Sequence, residues 1–217
     1  MPVLFTKKPD CNTIMGVWQI TEAVDELEQK LALTDAEKLV LDSYKHENRK
    51  KQWLSYRVLI NELQDELLQV HYTDFGKPYL KNEMKRKHIS ITHSGEYSAV
   101  LINPVASVGI DIEKISKRID RVSSKFLSEP EIEFLDKDNF LEHLTICWTA
   151  KEAMFKICGN DFYDFKKQMR LFPFRFSQEG LIRSELIGEQ KSISLTVHFE
   201  RISDYYLAYA FLMPDSK

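Results

Sequence analysis

Two short acidic segments hold the residues best suited to metal and phosphate chemistry. Within residues 108–113, Asp111 and Glu113 are two positions apart. In a β-strand both carboxylates would leave the same face, while the intervening isoleucines leave the other. Magnesium takes hard oxygen ligands and is commonly shared between one or two carboxylates and substrate phosphates. The pattern predicts a magnesium site, and the alternative is an edge strand with two solvated acids.

The second segment is a helix predicted over residues 139–158, in which Glu152 and Lys156 share one stripe. The alternative is a surface ion pair of i,i+4 spacing, which contributes only about 0.3–0.5 kcal/mol. Trp148 and Phe155 lie at either end of this stripe and indicate that it faces protein rather than bulk water. The two segments together predict a site for a divalent metal and a phosphate.

Basic residues upstream could complete such a site. His93 is predicted at a strand end beside the Thr92 hydroxyl, and with Lys77 it could form a phosphate-binding corner. The alternative is a structural turn histidine. A basic run on a predicted helix could grip an anion or simply be solvated, and it comprises Arg49, Lys50, Lys51 and Arg57.

A second basic run lies between the two acidic segments. It consists of Lys114, Lys117, Arg118, Arg121 and Lys125. In a net-acidic protein such a run would offer a docking surface for an acidic partner, and ordinary solvated charge is the alternative.

Helical and strand patterns occur in both halves of the chain. Helices are predicted over 21–31, from Thr34 onward, over 47–70, over 128–137 and over 139–158; strands are predicted over 12–20, 88–93, 97–102 and 108–113, and an antiparallel sheet over 170–213. Each half thus mixes helices with strands, and Asn103-Pro104 breaks the pattern between them. The sequence predicts an α+β fold with an N-terminal lobe (1–103) and a C-terminal lobe (104–217) that carries the metal site.

Composition narrows the class of protein. The 43% of hydrophobic residues suffice for a packed core, and the net charge of −3 gives no general attraction to nucleic acid or to anionic membranes. Three cysteines without a CxxC pair favour free thiols in a reducing compartment. No apolar run approaches the ~20 residues that cross a bilayer. We expect a cytoplasmic protein with no nucleic-acid or membrane partner.

Four motifs in this order resemble the phosphopantetheinyl transferases, specifically the long, pseudo-dimeric class that activates surfactin synthetase. They are Phe75-Gly76-Lys77-Pro78, Ile91-Thr92-His93-Ser94-Gly95, Gly109-Ile110-Asp111-Ile112-Glu113 and Trp148-Thr149-Ala150-Lys151-Glu152-Ala153. The resemblance covers most of the chain. It implies two similar α+β lobes related by a pseudo-twofold axis, with one chain sufficient as a monomer.

The resemblance also implies an activity of the holo-[acyl-carrier-protein] synthase type. The phosphopantetheine arm of coenzyme A would pass to a serine of an acyl or peptidyl carrier protein, releasing adenosine bisphosphate. Asp111, Glu113 and Glu152 would hold magnesium against the coenzyme A pyrophosphate. Glu152 would act as the base toward the serine, and Lys156 would stabilise the departing charge.

The same resemblance assigns the residues that bind coenzyme A. They are Lys77, Thr92, His93 and Lys151, with Lys50, Lys51 and Arg57 as the candidates on the basic helix, where Gln52 precedes Trp53. Carrier proteins are acidic around the modified serine, so the basic run from Lys114 to Lys125 would steer the carrier toward the cleft. Two alternatives are a coenzyme A-binding or carrier-binding protein without transferase activity, and another metal-dependent phosphotransferase or phosphohydrolase.

Overall fold

The computed structural model describes residues 3–64, 68–158, 164–188 and 191–214. Its strands are β1 (Val3–Lys7), β2 (Ile14–Gln19), β3 (Gln69–Tyr72), β4 (Pro78–Lys81), β5 (Arg86–Ser94), β6 (Tyr97–Asn103), β7 (Ser107–Lys114), β8 (Met169–Leu171), β9 (Glu179–Ile187), β10 (Ser192–Ile202) and β11 (Tyr205–Leu212). Its helices are α1 (Val24–Glu28), α2 (Asp35–Ser43), α3 (Glu47–Glu62), α4 (Lys117–Asp120), α5 (Ser123–Phe126), α6 (Glu129–Glu133) and α7 (Phe140–Cys158). None of these helices is long and apolar enough to cross a membrane.

The strands form two antiparallel sheets, which confirms the predicted α+β class. The N-terminal sheet has the order β1-β2-β6-β5-β4-β3, and the C-terminal sheet has the order β7-β11-β10-β9-β8. All strands of the first sheet precede Pro104, and all strands of the second follow it. The exact domain boundary stays a prediction.

Two long helices cover the outer faces of the sheets, and the inner faces pack against each other. α3 packs on β2, β5 and β6, whereas α7 packs on β7, β10 and β11. The core between the sheets takes residues from both, including Val17 and Leu101 on one side and Ile110, Ile112 and Leu207 on the other. The layers therefore run helix, sheet, sheet, helix, and β5 of one sheet lies against β7 of the other.

The two sheets repeat one topology once β1 is set aside. In each, the first strand in sequence lies beside the last, the helices follow the first strand, and the remaining strands run outward in reverse order. Under this correspondence β2 matches β7, β5 matches β10, and α3 matches α7. The repeat supports two similar lobes, and the pseudo-twofold rotation between them stays a prediction.

Several predicted boundaries differ from the structure. The capping box at Thr34 is present, because its Oγ1 accepts from the Glu37 N–H at 3.3 Å and Glu37 accepts from the Thr34 N–H at 3.0 Å. The helix predicted over 47–70 ends at Glu62, and β3 pairs with β4 in its last part. Residues 65–67 of that prediction lie outside the described residues. β1 was not predicted.

Candidate active site

β7 and α7 bring the acidic residues of both motifs together. Asp111 is buried in β7 and Glu113 is half-buried two positions later. α7 lies directly on β7 because Gly109 has no side chain: a Cβ there would lie 1.9 Å from the Ala153 carbonyl oxygen. This close approach sets Glu152 and Lys156, one residue before and three residues after Ala153, beside the carboxylates of β7.

Lys156 forms the most direct contact between the two elements. Its Nζ lies 2.7 Å from Asp111 Oδ1 and donates to the Ile110 carbonyl oxygen at 2.9 Å. The other Asp111 oxygen, Oδ2, is buried and accepts no hydrogen bond from any described residue. A buried carboxylate oxygen without a partner is costly, so this atom is poised to accept a further ligand.

The three carboxylates influence one another electrostatically. Burial and the neighbouring charges of Asp111 and Glu113 raise the pKa of Glu152 to about 7, although Lys156 opposes the shift. Burial and Asp111 likewise raise the pKa of Glu113, while hydrogen bonds from Ser94 and Trp148 oppose the rise. Acids whose pKa values rise through mutual repulsion and burial would be stabilised by an additional cation.

The sequence predicts that these carboxylates hold a magnesium ion. Within residues 3–64, 68–158, 164–188 and 191–214, no three His, Cys, Asp or Glu side chains are grouped so as to hold a metal ion. Lys156 instead supplies the cation in contact with Asp111. The donor chemistry nevertheless fits magnesium, since three carboxylates interact and Asp111 Oδ2 has no partner.

His93 lies at the opposite side of this site, in contact with a residue of the basic helix. Arg49 NH1 contacts His93 Nε2. Burial, Arg49 and Lys156 lower the pKa of His93 to about 4, so the imidazole is neutral at physiological pH. No carboxylate of the described segments lies within 4.0 Å of the Arg49 guanidinium. A guanidinium balanced by no acid suits an anion such as phosphate.

Lys77 lies further along the contact between the lobes. Its Nζ donates to Ser107 Oγ at 3.0 Å and to the Ile157 carbonyl oxygen at 2.5 Å, at the C-terminal end of α7. Ser107 precedes Asp111 by four positions, about 13 Å along an extended strand. The expected corner of Lys77 and His93 is therefore not formed, because the two side chains contact different parts of the interface.

The assignment of Lys51 and Arg57 to coenzyme A is not supported by their positions. Lys51 forms an ion pair with Glu47 at 3.0 Å. Arg57 lies over the Trp53 ring at 3.5 Å, with its Nε 3.5 Å from Glu37. Lys51 thus contacts its own helix and Arg57 contacts α2 and its own helix, whereas Arg49 contacts His93 of β5.

Helical phase could have identified Arg49 in the sequence. Gln52, one turn later, donates to the Gly95 carbonyl oxygen at 3.0 Å, and Ser55 donates to Ser98 Oγ at 3.0 Å. The spacing 49, 52, 55 marks the face of α3 that meets β5 and β6. Arg49 belongs to the basic run found in the sequence, but it was not among the residues predicted to bind coenzyme A.

The expected contact of Lys151 with coenzyme A is not supported by its position. Lys151 is fully buried, and its Nζ donates to Glu131 at 2.8 Å, to the Phe126 carbonyl at 2.7 Å and to the Phe165 carbonyl at 2.9 Å. Glu131 also accepts from the Leu171 N–H at 2.9 Å. Lys151 thus joins α7 to α5, α6 and the segment around Phe165 in the interior of the C-terminal lobe.

The remaining predicted residues differ in their exposure. Thr92 is buried, and its hydroxyl donates to Asp111 Oδ1 at 2.9 Å. The second basic run is exposed at all five positions, namely Lys114, Lys117, Arg118, Arg121 and Lys125. Lys114 pairs with Asp204 at 3.0 Å.

The C-terminal part of the chain is similar to a known protein family. Residues 107–210 match the family model described as the 4'-phosphopantetheinyl transferase superfamily. These residues are similar to that superfamily over slightly less than half of the chain. The resemblance found in the sequence is confirmed at this level, whereas membership of the long class stays a prediction.

Two relatives of known name align with about half of the chain. The 4'-phosphopantetheinyl transferase AcpT of Escherichia coli (strain K12) is 30% identical over 116 residues, covering 51% of this chain and 59% of that protein. The 4'-phosphopantetheinyl transferase gsp of Aneurinibacillus migulanus is 27% identical over 111 residues, covering 50% of this chain and 45% of that protein. The chain thus spans about half the length of the relatives it matches.

The segment that matches the superfamily begins in β7 and ends in β11. It contains all three carboxylates and Lys156, whereas Arg49, Lys77 and His93 lie in the N-terminal lobe outside the matched residues. The acidic residues of the candidate site therefore lie in the matched segment, and the cationic residues lie outside it in the N-terminal lobe.

Proposed function

We propose that this chain transfers the phosphopantetheine arm of coenzyme A to a serine of an acyl or peptidyl carrier protein in a magnesium-dependent reaction. The observation that carries the proposal is the juxtaposition of a carboxylate cluster with Arg49 and His93 across the contact between the lobes. Coenzyme A carries a pyrophosphate and a further phosphate. A metal site and side chains that donate hydrogen bonds, whether cationic or neutral, are suited to bind these groups.

Asp111, Glu113 and Glu152 would hold the magnesium ion. When bound, magnesium would neutralise charge on the pyrophosphate and orient it for in-line displacement. Asp111 Oδ2, which has no partner among the described residues, is the natural first ligand.

Glu152 would accept the proton of the carrier serine. In the metal-free protein, burial and the carboxylates of Asp111 and Glu113 raise the pKa of Glu152 to about 7, which favours its taking up a proton. The serine oxygen would form a bond to the phosphorus that carries the pantetheine arm. The bond from that phosphorus to the bridging oxygen would break, and adenosine bisphosphate would leave with the electron pair.

Lys156, Arg49 and His93 would hold the phosphates. Lys156 is anchored on Asp111 and the Ile110 carbonyl, so its ammonium is fixed beside the reacting group and can stabilise the departing charge. The Arg49 guanidinium offers several N–H donors, and neutral His93 can donate one ring N–H. Lys77, near Ser107, would contact a more distant part of coenzyme A.

We also propose an enzyme class, an oligomeric state and a cellular location for this chain. We propose the long class, with activity of the holo-[acyl-carrier-protein] synthase type, because one chain supplies both the acidic and the cationic half of the site. For the same reason a monomer would suffice. Among the described residues Cys11 and Cys147 are free thiols, which is compatible with the proposed cytoplasmic location.

Mass spectrometry of a carrier protein tests this function. The purified chain is incubated with coenzyme A, magnesium and an apo carrier, and the carrier mass is compared with and without a chelator. We expect the carrier to gain one phosphopantetheine arm only when magnesium is present. Tight coenzyme A binding with no modified carrier would favour a binding protein, and phosphate release without a carrier would favour a hydrolase.

A further inference from the structure

β7 is an edge strand of the C-terminal sheet whose free side faces β5. It pairs with β11 on one side only, and an edge strand has N–H groups that need partners. Side-chain hydroxyls of β5 meet this need. The Ile110 N–H donates to Ser90 Oγ at 3.0 Å, and the Ile112 N–H donates to Thr92 Oγ1 at 3.3 Å.

The hydroxyls of β5 also donate to the carboxylates of β7. Thr92 donates to Asp111 Oδ1 at 2.9 Å, and Ser94 donates to Glu113 Oε2 at 3.2 Å. Ser90, Thr92 and Ser94 occupy alternate positions of one strand, so they share the face that meets the other sheet. We call these three residues the hydroxyl ladder.

We propose that the hydroxyl ladder is a positioning device that registers β5 against β7 and thereby fixes Asp111 and Glu113 for a divalent cation. This inference rests on the magnesium site of the proposed function. The ladder differs from a packing contact because its hydroxyls form hydrogen bonds with both the backbone and the carboxylates of β7. Thr92 accepts from Ile112 and donates to Asp111, so it fixes both the strand and its acidic side chain.

The ladder gives Thr92 a role other than coenzyme A binding. A hydroxyl has one proton, and Thr92 donates it to Asp111. The side chain is also buried, with only 5% of the residue exposed. Thr92 is therefore a positioning residue. Ser90 holds the backbone at Ile110 and Ser94 holds the carboxylate of Glu113, so the two serines divide between them what Thr92 does alone.

Hydrogen exchange tests the ladder without any metal. We expect Ser90→Ala to accelerate exchange of the Ile110 amide by about fivefold, the equivalent of one lost hydrogen bond. Thr92→Val is expected to do the same at Ile112, and Thr92→Ser is expected to restore protection. Unchanged exchange at both amides would overturn the ladder.

Cation affinity tests the positioning role. With coenzyme A present, Mn²⁺ binding is measured by electron paramagnetic resonance for Thr92→Val, Thr92→Ser and Ser94→Ala. Groups that hydrogen-bond to metal-binding carboxylates typically change affinity 10–100-fold, so we expect Thr92→Val and Ser94→Ala to weaken Mn²⁺ binding by about tenfold. Thr92→Ser should bind as the unmodified chain does.

Ser184→Ala is the matched control. Ser184 is buried in β9 and donates to the Leu195 carbonyl at 3.0 Å, so its loss removes an equivalent hydrogen bond away from the site. It should lower stability without changing Mn²⁺ affinity. Ser94 is half-buried, so Ser94→Ala decides the question if Thr92→Val does not fold.

The outcomes separate this inference from the proposed function. If the unmodified chain binds Mn²⁺ and the ladder variants bind it equally well, the positioning role is wrong while the metal site stands. If the unmodified chain binds no Mn²⁺ with coenzyme A present, the metal site itself is wrong and the positioning role falls with it.

Discussion

The Lys156 ammonium contacts one oxygen of Asp111 at 2.7 Å, while the other oxygen of that carboxylate is buried without a partner among the described residues. Asp111 is thus held by α7 and by Thr92 through the same atom, Oδ1. The arrangement fixes the side chain and leaves one oxygen available. Because one oxygen is held and the other is available, the carboxylate is suited to bind a cation at the contact between the lobes.

Arg49 and Lys51 lie two positions apart on α3 and are expected to differ sharply in their effect on coenzyme A. Arg49 contacts His93, whereas Lys51 pairs with Glu47. A hydrogen bond to a charged group contributes about 1.5–3 kcal/mol, so Arg49→Ala should raise the KM for coenzyme A by about 10–100-fold. Lys51→Ala should leave it unchanged. Steady-state kinetics would contradict the assignment if Lys51→Ala had the larger effect.

The pKa of His93 provides a pH-dependent test. Burial, Arg49 and Lys156 lower it to about 4. The folded-state pKa lies below the unfolded value, so His93 contributes stability above pH ~6.5 that is lost as the pH falls toward 4. NMR titration of the ring protons should give about 4, and Arg49→Ala should raise the value. A normal pKa in the unmodified chain would show that the Arg49 contact is not formed.

The buried pair of Lys151 and Glu131 is expected to govern stability rather than coenzyme A binding. Lys151→Met would leave Glu131 buried without its cation, and breaking such a pair costs about 3–5 kcal/mol. Urea denaturation measures this loss in the free energy of unfolding. Adding Glu131→Gln should recover part of it. A stable Lys151→Met chain with weakened coenzyme A binding would restore the original assignment of Lys151.

Lys117 and Arg118 are expected to act on the carrier protein alone. Both are exposed, so Lys117→Glu with Arg118→Glu should raise the carrier KM and leave the coenzyme A KM unchanged. The effect should diminish at high salt. The matched control is Lys8→Glu with Lys38→Glu, two exposed lysines of the N-terminal lobe. Equal effects of the two double variants would indicate a general charge effect rather than docking.

The sequence predicted the acidic half of the site because local periodicity determines it. The period of two in β7 places Asp111 and Glu113 together, and the helical spacing of four joins Glu152 to Lys156. These elements carry strong patterns of their own, and the structure reproduces both.

The cationic half depends on tertiary placement, which local patterns do not encode. Arg49 and Arg57 are equally basic residues of α3, and only the packing of that helix on β5 makes Arg49 the one at His93. Lys151 is a second example. It belongs to a recognised motif, but the motif does not reveal which side of α7 faces the core. Likewise, the tail of the predicted 47–70 helix became β3 because it pairs with β4.

Glu152→Gln in the carrier-modification assay tests the central claim most directly. With magnesium and coenzyme A, the unmodified chain should add one phosphopantetheine arm to an apo carrier. At saturating coenzyme A and magnesium the variant should transfer the arm about 10²–10⁴-fold more slowly, the usual loss of a general base. Transfer at an undiminished rate by Glu152→Gln would contradict the proposed active site.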